Sequence, residues 1–264
     1  MEVLAFNICG KFAHFRKFYS NSSALTHFIP PRTTIIGIIA AIIGLERDSY
    51  YEDFSLENCD IGIRLLSKVK KTIQKLKYLK VESLKDLNGS YYDPRQLQFI
   101  ANTMVPFEVL SPLNIRENNN FVSYRIYYHS KTEKNDPHFE KLKKQFAKGK
   151  ECYYPLSLGS ANFTAFIDDY SLYSGNEVTI KHNSNIKIDS AIPKEYLDLE
   201  ELKIGLKSHI IQETLPMDFD KERYLKSHSE ILFDLNCYPL SVKMKSDYIS
   251  LQKNSKNENI VFMQ

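Results

Sequence analysis

The chain has 264 residues, of which 43% are hydrophobic and 25% charged, with a formal net charge of +3. That length holds one large domain or two modest ones, and the apolar content is ample for a core, so the expected class is soluble and globular. Four well-separated cysteines (Cys9, Cys59, Cys152, Cys237), with no CxxC pair and no histidine at metal-ligand spacing, give no reason to expect a disulfide framework or a zinc site, and they fit a reducing cytoplasm.

The amino-terminal "EVLAFNI" alternates with Leu4, Phe6 and Ile8 on one face, which is strand periodicity. Glu2 stands where a secretory leader would carry Lys or Arg, so no export segment is expected. A loop from Lys11 to His27 mixes basic and aromatic residues, and "HFIPPRTTIIGIIAAIIGL" follows. Its run from Ile35 to Leu45 has eleven uncharged residues, where a membrane span needs about twenty. A buried core helix is the better reading. Pro30 and Pro31 hold the approach extended, Thr33 or Thr34 can cap the first amides, and Gly37 permits close approach of another backbone.

"CDIGIRLL" reads as a second strand and "FVSYRIYYHS" as a third. Between them, "SKVKKTIQKLKYLKVESLKDL" either continues a strand or forms an amphipathic helix. "DPHFEKLKKQFAKGK" has a helix start at Asp136 and Pro137, an apolar stripe at Phe139, Leu142 and Phe146, and a stop near Gly149. "NFTAFI" supplies a fourth strand, completing the order β-α-β-β-α-β, the ferredoxin-like pattern shared with RNA-recognition domains. From Tyr170 onward short strands and turns predict a smaller β-rich domain. The tail "QKNSKNEN" reads as loosely ordered.

Charge is divided unevenly. Residues 1–150 hold 23 Lys/Arg against 15 Asp/Glu (+8), and the remainder 12 against 17 (−5). A basic half joined to an acidic half fits one face meeting a polyanion and another meeting protein, and ordinary surface scatter is the plain alternative.

Three stretches, "FRKFYSNSSALTHFIPPRTTIIGIIAAIIG", "YYPLSLGSANFTAFI" and "QETLPMDFDKERY", together resemble the Cas-five family of the RAMP superfamily, the repeat-associated RNA-binding subunit of type I CRISPR surveillance complexes (Cascade), and are most similar to its type I-B branch. The resemblance implies an α+β fold: a ferredoxin-like (RRM-like) RAMP palm over residues 1–170, an inserted thumb at about 67–120, and a β-rich carboxy-terminal domain over 171–264. It also implies a non-catalytic role in antiviral defence, gripping the 5′ handle of the crRNA beside the backbone and large subunits, without membrane or nucleotide cofactor.

Each candidate RNA contact has a bland counterpart. The helix amino terminus presents free amides at Thr33 and Thr34, with Arg32 adding a cation for a phosphate, or else the threonines merely cap. Arg16 and Lys17, with His27 at the end of their loop, sit among aromatic rings in the mixture that grips single-stranded RNA, or form an ordinary solvated loop. Alternation puts Arg125 and Tyr127 on the sheet face where RNA-recognition domains stack bases, unless the second domain covers it. Gly159 and Ser160 form a turn where a missing side chain admits a sugar-phosphate backbone, or a tight structural turn. The lysines from Lys68 to Lys80 suit a thumb base or a solvated face, and Met104 to Phe107 form an apolar patch that either wedges or packs.

GxxxxGK[ST] is absent from the sequence, so nucleotide hydrolysis is unsupported. The alternative function is a metal-independent endoribonuclease processing precursor crRNA, for which Tyr19, Lys17 and His27 would supply base, acid and cation. A protein-interaction domain without an RNA role is a third reading.

Overall fold

Strand β1 (Glu2–Gly10) is buried on both faces, and the rest of the molecule is arranged around it. The structure is a computed structural model that describes residues 1–20, 23–79, 102–117, 120–132, 136–182 and 185–263. After β1 come two short strands, β2 (Phe15–Arg16) and β3 (Thr26–His27), paired as an arm. Helix α1 (Arg32–Ile43) follows, then β4 (Cys59–Leu65), the long hairpin strands β5 (Val69–Leu79) and β6 (Asn102–Pro112), and β7 (Val122–Ser130). Helix α2 (Pro137–Ala147) leads to β8 (Leu156–Ser157) and β9 (Thr164–Ser174).

The main sheet has the order β4-β7-β1-β9-β8, and every neighbouring pair is antiparallel. Leu4, Phe6 and Ile8 of β1 share one face with Tyr124, Ile126 and Tyr128 of β7, and this face meets the isoleucines of α1 and Phe139, Leu142 and Phe146 of α2 in one core. Isoleucine is a weak helix former, so α1 owes its stability to that packing. Each fully buried isoleucine contributes about 1.5–3 kcal/mol. The helix stops at Gly44, which takes a left-handed φ of 76° and donates its N–H to the Ala40 carbonyl. Helix α2 starts as its sequence indicates, with the Asp136 carboxylate accepting from the His138 N–H at 2.9 Å.

The remaining strands are β10 (Val178–Lys181), β11 (Asn185–Ile188), β12 (Ile192–Pro193), β13 (Leu197–Lys203), β14 (Ile210–Phe219), β15 (Leu225–Asp234), β16 (Leu240–Met244), β17 (Tyr248–Lys253) and β18 (Lys256–Ile260). They form three small sheets, β10-β17-β18, β11-β16-β13 and β12-β15-β14. Residue 170 lies inside β9, and Leu215, Met217, Ile231 and Phe233 of the β14–β15 hairpin join the same core as α1. The stretch read as a loose tail is instead part of the β17–β18 hairpin, closed by left-handed Asn254 and Ser255.

Within the expected insertion, β5 and β6 pair in register from Val69↔Pro112 to Leu79↔Asn102, so the described part of the ambiguous lysine-rich segment is a strand. Residues 80–101 and 118–119 of that insertion, including Lys80, lie outside the described residues. One face of the hairpin packs Leu76, Val105, Phe107 and Val109 with Phe12, Ala24 and Phe163, which accounts for much of the apolar patch as core. Ile73, Lys75, Lys77 and Met104 are exposed on the other. Among the described residues no helix is long and apolar enough to cross a membrane.

Candidate nucleic-acid interface

A cleft of about 320 Å³ runs along the outward side of α1. Its floor is the small-residue row Thr33, Thr34 and Gly37, where a side chain on Gly37 would meet the Tyr50 hydroxyl at 3.2 Å. One wall comes from the turn after α1 with Arg47 and Tyr50, and the other from Ser157 and Gly159 beside β8. Arg223, in the turn between β14 and β15, lies across one end. Two of the sequence's candidate pieces, the helix start and the glycine turn, therefore meet in one place. No side chain caps α1: the N-cap is Pro31, so neither Thr33 nor Thr34 has the expected capping role.

The cations of this cleft are Arg47 and Arg223. Their side chains are 82% and 51% exposed, and each faces Asp48, at 3.2 Å and 3.8 Å. Asp48 has a left-handed φ of 63° and accepts a 2.6 Å hydrogen bond from the Tyr51 hydroxyl. That bond and the two arginines hold its carboxyl below the usual carboxylate range. Exposed pairs of this kind contribute little to stability, so both guanidiniums stay available to a phosphate at small cost.

Gly159 links the cleft to the arm. It has φ +89°, and a Cβ there would fall 1.9 Å from the His14 carbonyl oxygen. The room left by the missing side chain is thus taken by the chain's own backbone, with the His14 N–H donating to the Leu158 carbonyl at 3.0 Å. Ser160, the next residue of the turn, accepts from the Phe163 N–H through its carbonyl. Arg16, two residues beyond His14, is exposed and donates to the Ser20 carbonyl at 3.3 Å.

Three sequence candidates are placed otherwise than expected. Arg32 is fully buried and points inward: Nη1 donates to the Met217 carbonyl at 3.2 Å, and Nη2 lies 2.9–3.0 Å from the carbonyls of Phe54, Ser55 and Cys59. It ties the loop before β4 to α1 and β14 and offers no cation to a phosphate at the helix start. Burial also pushes the neighbouring Cys59 thiol up to about 12, against the opposing pull of this guanidinium. Arg125 is buried with Nε 3.1 Å from Glu258 Oε2 and Nη1 2.9 Å from Asn7 Oδ1. Tyr127 on the same face packs with Ile249, Leu251, Ile260 and Phe262, so the carboxy-terminal strands cover the face left open in RNA-recognition domains.

His27 is the third. Its ring is fully buried, 3.7 Å from the Glu213 carboxylate, and neither ring nitrogen has a hydrogen-bond partner among the described residues. Lys17 also reaches Glu213, at 3.4 Å, and its ammonium lies 5.7 Å from the Tyr19 ring centroid. Lys17 thus stands between Tyr19 on one side and the Glu213 carboxylate that His27 also approaches, yet the imidazole is enclosed in protein and does not face solvent. Among the described residues no group of three or more His, Cys, Asp or Glu is placed to hold a metal ion.

Sequence reasoning missed Glu213, Arg47 and Arg223. Glu213 alternates with Leu215 and Met217 along β14, so a carboxylate on an inward-facing strand position was a readable signal. Arg47 and Arg223 left none, because turn residues carry no periodicity.

Residues 3–112 match the profile of the family described as CRISPR-associated protein (Cas_Cas5). No curated protein matches the sequence. Among solved structures, a CRISPR protein from Archaeoglobus fulgidus superposes over 98% of both chains with a TM-score of 0.56 at 14% identity, a likeness of fold. A chain of a CRISPR RNA-guided surveillance complex has a TM-score of 0.48 at 11% identity over 92% of this chain and 91% of its own. A Cas protein crystal structure has 0.44 at 13% over 90% and 98%. Over residues 3–112, then, the chain is similar to the Cas5 family of CRISPR-associated proteins.

Proposed function

We propose that the chain is a non-catalytic crRNA-binding subunit of a type I Cascade complex, holding the 5′ handle of the crRNA and assisting assembly with the backbone and large subunits. The observation that carries this reading is the convergence of Thr33, Thr34 and Gly159 on one cleft with the exposed guanidiniums of Arg47 and Arg223. The hydroxyls of Thr33 and Thr34, on the small-residue floor at Gly37, give a sugar-phosphate chain close approach, and two arginines neutralise its charge. On this reading the four long strands and two helices are a ferredoxin-like palm, since the sheet order β4-β7-β1-β9 with both helices on one face is the arrangement that pattern produces. The β5–β6 hairpin is the base of the thumb.

The endoribonuclease alternative draws on the meeting of Lys17 and His27 at Glu213, with Tyr19 beside Lys17. Burial of His27 weighs against it, because a general acid or base must reach the scissile phosphodiester. The test is incubation of the full chain with labelled repeat RNA and a metal chelator. Tight, salt-sensitive binding with no product is the expected result. Site-specific cleavage that disappears in His27→Ala overturns the non-catalytic assignment.

A further inference from the structure

Phe18 and Tyr19, at the tip of the arm between β2 and β3, are 46% and 54% exposed and belong to no apolar core. Their rings touch edge to face, with centroids 5.1 Å apart and planes at 83°, so the two rings stand at right angles to one another. The tip is braced: Ser20 donates to the Lys17 carbonyl through both its N–H (3.1 Å) and its hydroxyl (2.8 Å), and the Lys17 N–H donates to the Leu25 carbonyl at 2.9 Å. Lys17 is anchored from below by Glu213 at 3.4 Å, so the rings stand on a support tied to the core. Two adjacent large aromatic side chains thus remain about half exposed, outside the apolar cores formed by the described residues.

Cations flank the two rings on the same turn. Arg16 is exposed, and the Lys17 ammonium lies 5.7 Å from the Tyr19 ring centroid. Aromatic faces next to clustered positive charge is the combination that binds an unpaired nucleotide, the ring taking the base and the cation its phosphate.

We infer that Phe18 and Tyr19 form a stacking site for one unpaired RNA base, with Arg16 holding an adjacent phosphate. The inference rests on the RNA-binding reading above and adds to it a second contact region, on the arm, beyond the α1 cleft. Stacking recognises any base through its π-face, so the site sets affinity and register and leaves base identity unread.

The experiment measures binding of the full chain to repeat-derived handle RNA and to the same RNA carrying single abasic substitutions at successive positions. Wild type is expected to lose about tenfold in affinity at one position or two adjacent ones. Phe18→Leu/Tyr19→Leu is expected to bind the intact RNA about tenfold more weakly, to be flat across the abasic series, and to keep the salt slope. Tyr19→Phe, which retains the ring, restores wild-type behaviour. A leucine double variant that matches wild type on every probe, with an unchanged melting temperature, overturns the stacking site and leaves the patch to a protein partner. Absence of salt-dependent binding by wild type sinks the RNA reading itself, and the stacking site with it.

Discussion

The Lys17 ammonium lies 3.4 Å from the Glu213 carboxylate, joining the arm that precedes α1 to β14 near the far end of the chain. The same carboxylate accepts the Phe28 N–H at 2.8 Å and stands 3.7 Å from His27 and 3.9 Å from Lys71 of β5. Glu108 on β6 shares Lys71 at 3.7 Å and accepts the Thr26 N–H at 2.8 Å. One buried anion therefore holds the arm, the inserted hairpin and the carboxy-terminal hairpin in register. Its burial raises the carboxyl's proton affinity, but His27, the Phe28 amide and Lys71 outweigh that effect and bring the net value below the ordinary one.

A lowered native value means that this stabilisation is present above the unfolded carboxylate's pKa, about 4.3, and is lost as pH falls through the native one. Glu213→Ala leaves the Phe28 N–H without its acceptor and the half-buried Lys17 without its carboxylate, and is expected to cost about 1–3 kcal/mol in urea unfolding at neutral pH. Glu213→Gln keeps the Phe28 contact, costs less, and removes part of the acid-dependent loss seen in wild type. Identical acid profiles for Glu213→Gln and wild type would show that the carboxylate is not the hub.

Arg32 separates a strut from an RNA contact. Arg32→Met abandons carbonyls of Met217, Phe54, Ser55 and Cys59 inside the protein and is expected to lower stability by about 3 kcal/mol. Measured at a temperature where the variant is folded, its RNA affinity should keep the wild-type dependence on salt. A shallower salt slope in the variant would return Arg32 to the interface.

The long elements were legible because their burial is periodic. The strand of Leu4, Phe6 and Ile8, the isoleucine helix and the helix opened by Asp136 all stand where their patterns put them. The site was legible only in part. Thr33, Thr34 and Gly159 were identified as chemistry, but their meeting in one cleft depends on the β8–β9 turn docking against His14, a long-range contact with no local signature. Arg32 and Arg125 misled for one reason: sequence gives a cation's identity but not its burial, and each is enclosed by segments distant in the chain, Met217 in one case and Glu258 in the other. That a second domain covers this face of β7 was one of the two readings the sequence left open, but the strands that do so were hidden while the β17–β18 hairpin read as a loose polar tail.

The cleft arginines give a quantitative test. Each single-strand phosphate contact steepens the salt dependence of binding by about 0.7 in the log–log slope. Arg47→Gln and Arg223→Gln should each flatten it by about that amount and, combined, by about twice it, with unfolding curves nearly unmoved because both side chains are exposed. Slopes equal to wild type in the double variant would remove the cleft from the RNA path.

Gly159 and Gly175 both have positive φ, at +89° and +56°, but nothing lies within 4 Å of a Cβ added at Gly175, whereas one at Gly159 would strike the His14 carbonyl. Gly175→Ala thus reports backbone strain alone, about 1–2 kcal/mol. Gly159→Ala adds a clash that only separation of the β8–β9 turn from the arm relieves. It should cost at least about 1 kcal/mol more than the reference substitution in thermal or urea unfolding. Because that turn is also a wall of the α1 cleft, Gly159→Ala should weaken handle-RNA binding while Gly175→Ala leaves it unchanged. Equal losses of stability in the two variants would mean that the turn does not dock on the arm, and the shared wall of cleft and arm would go with it.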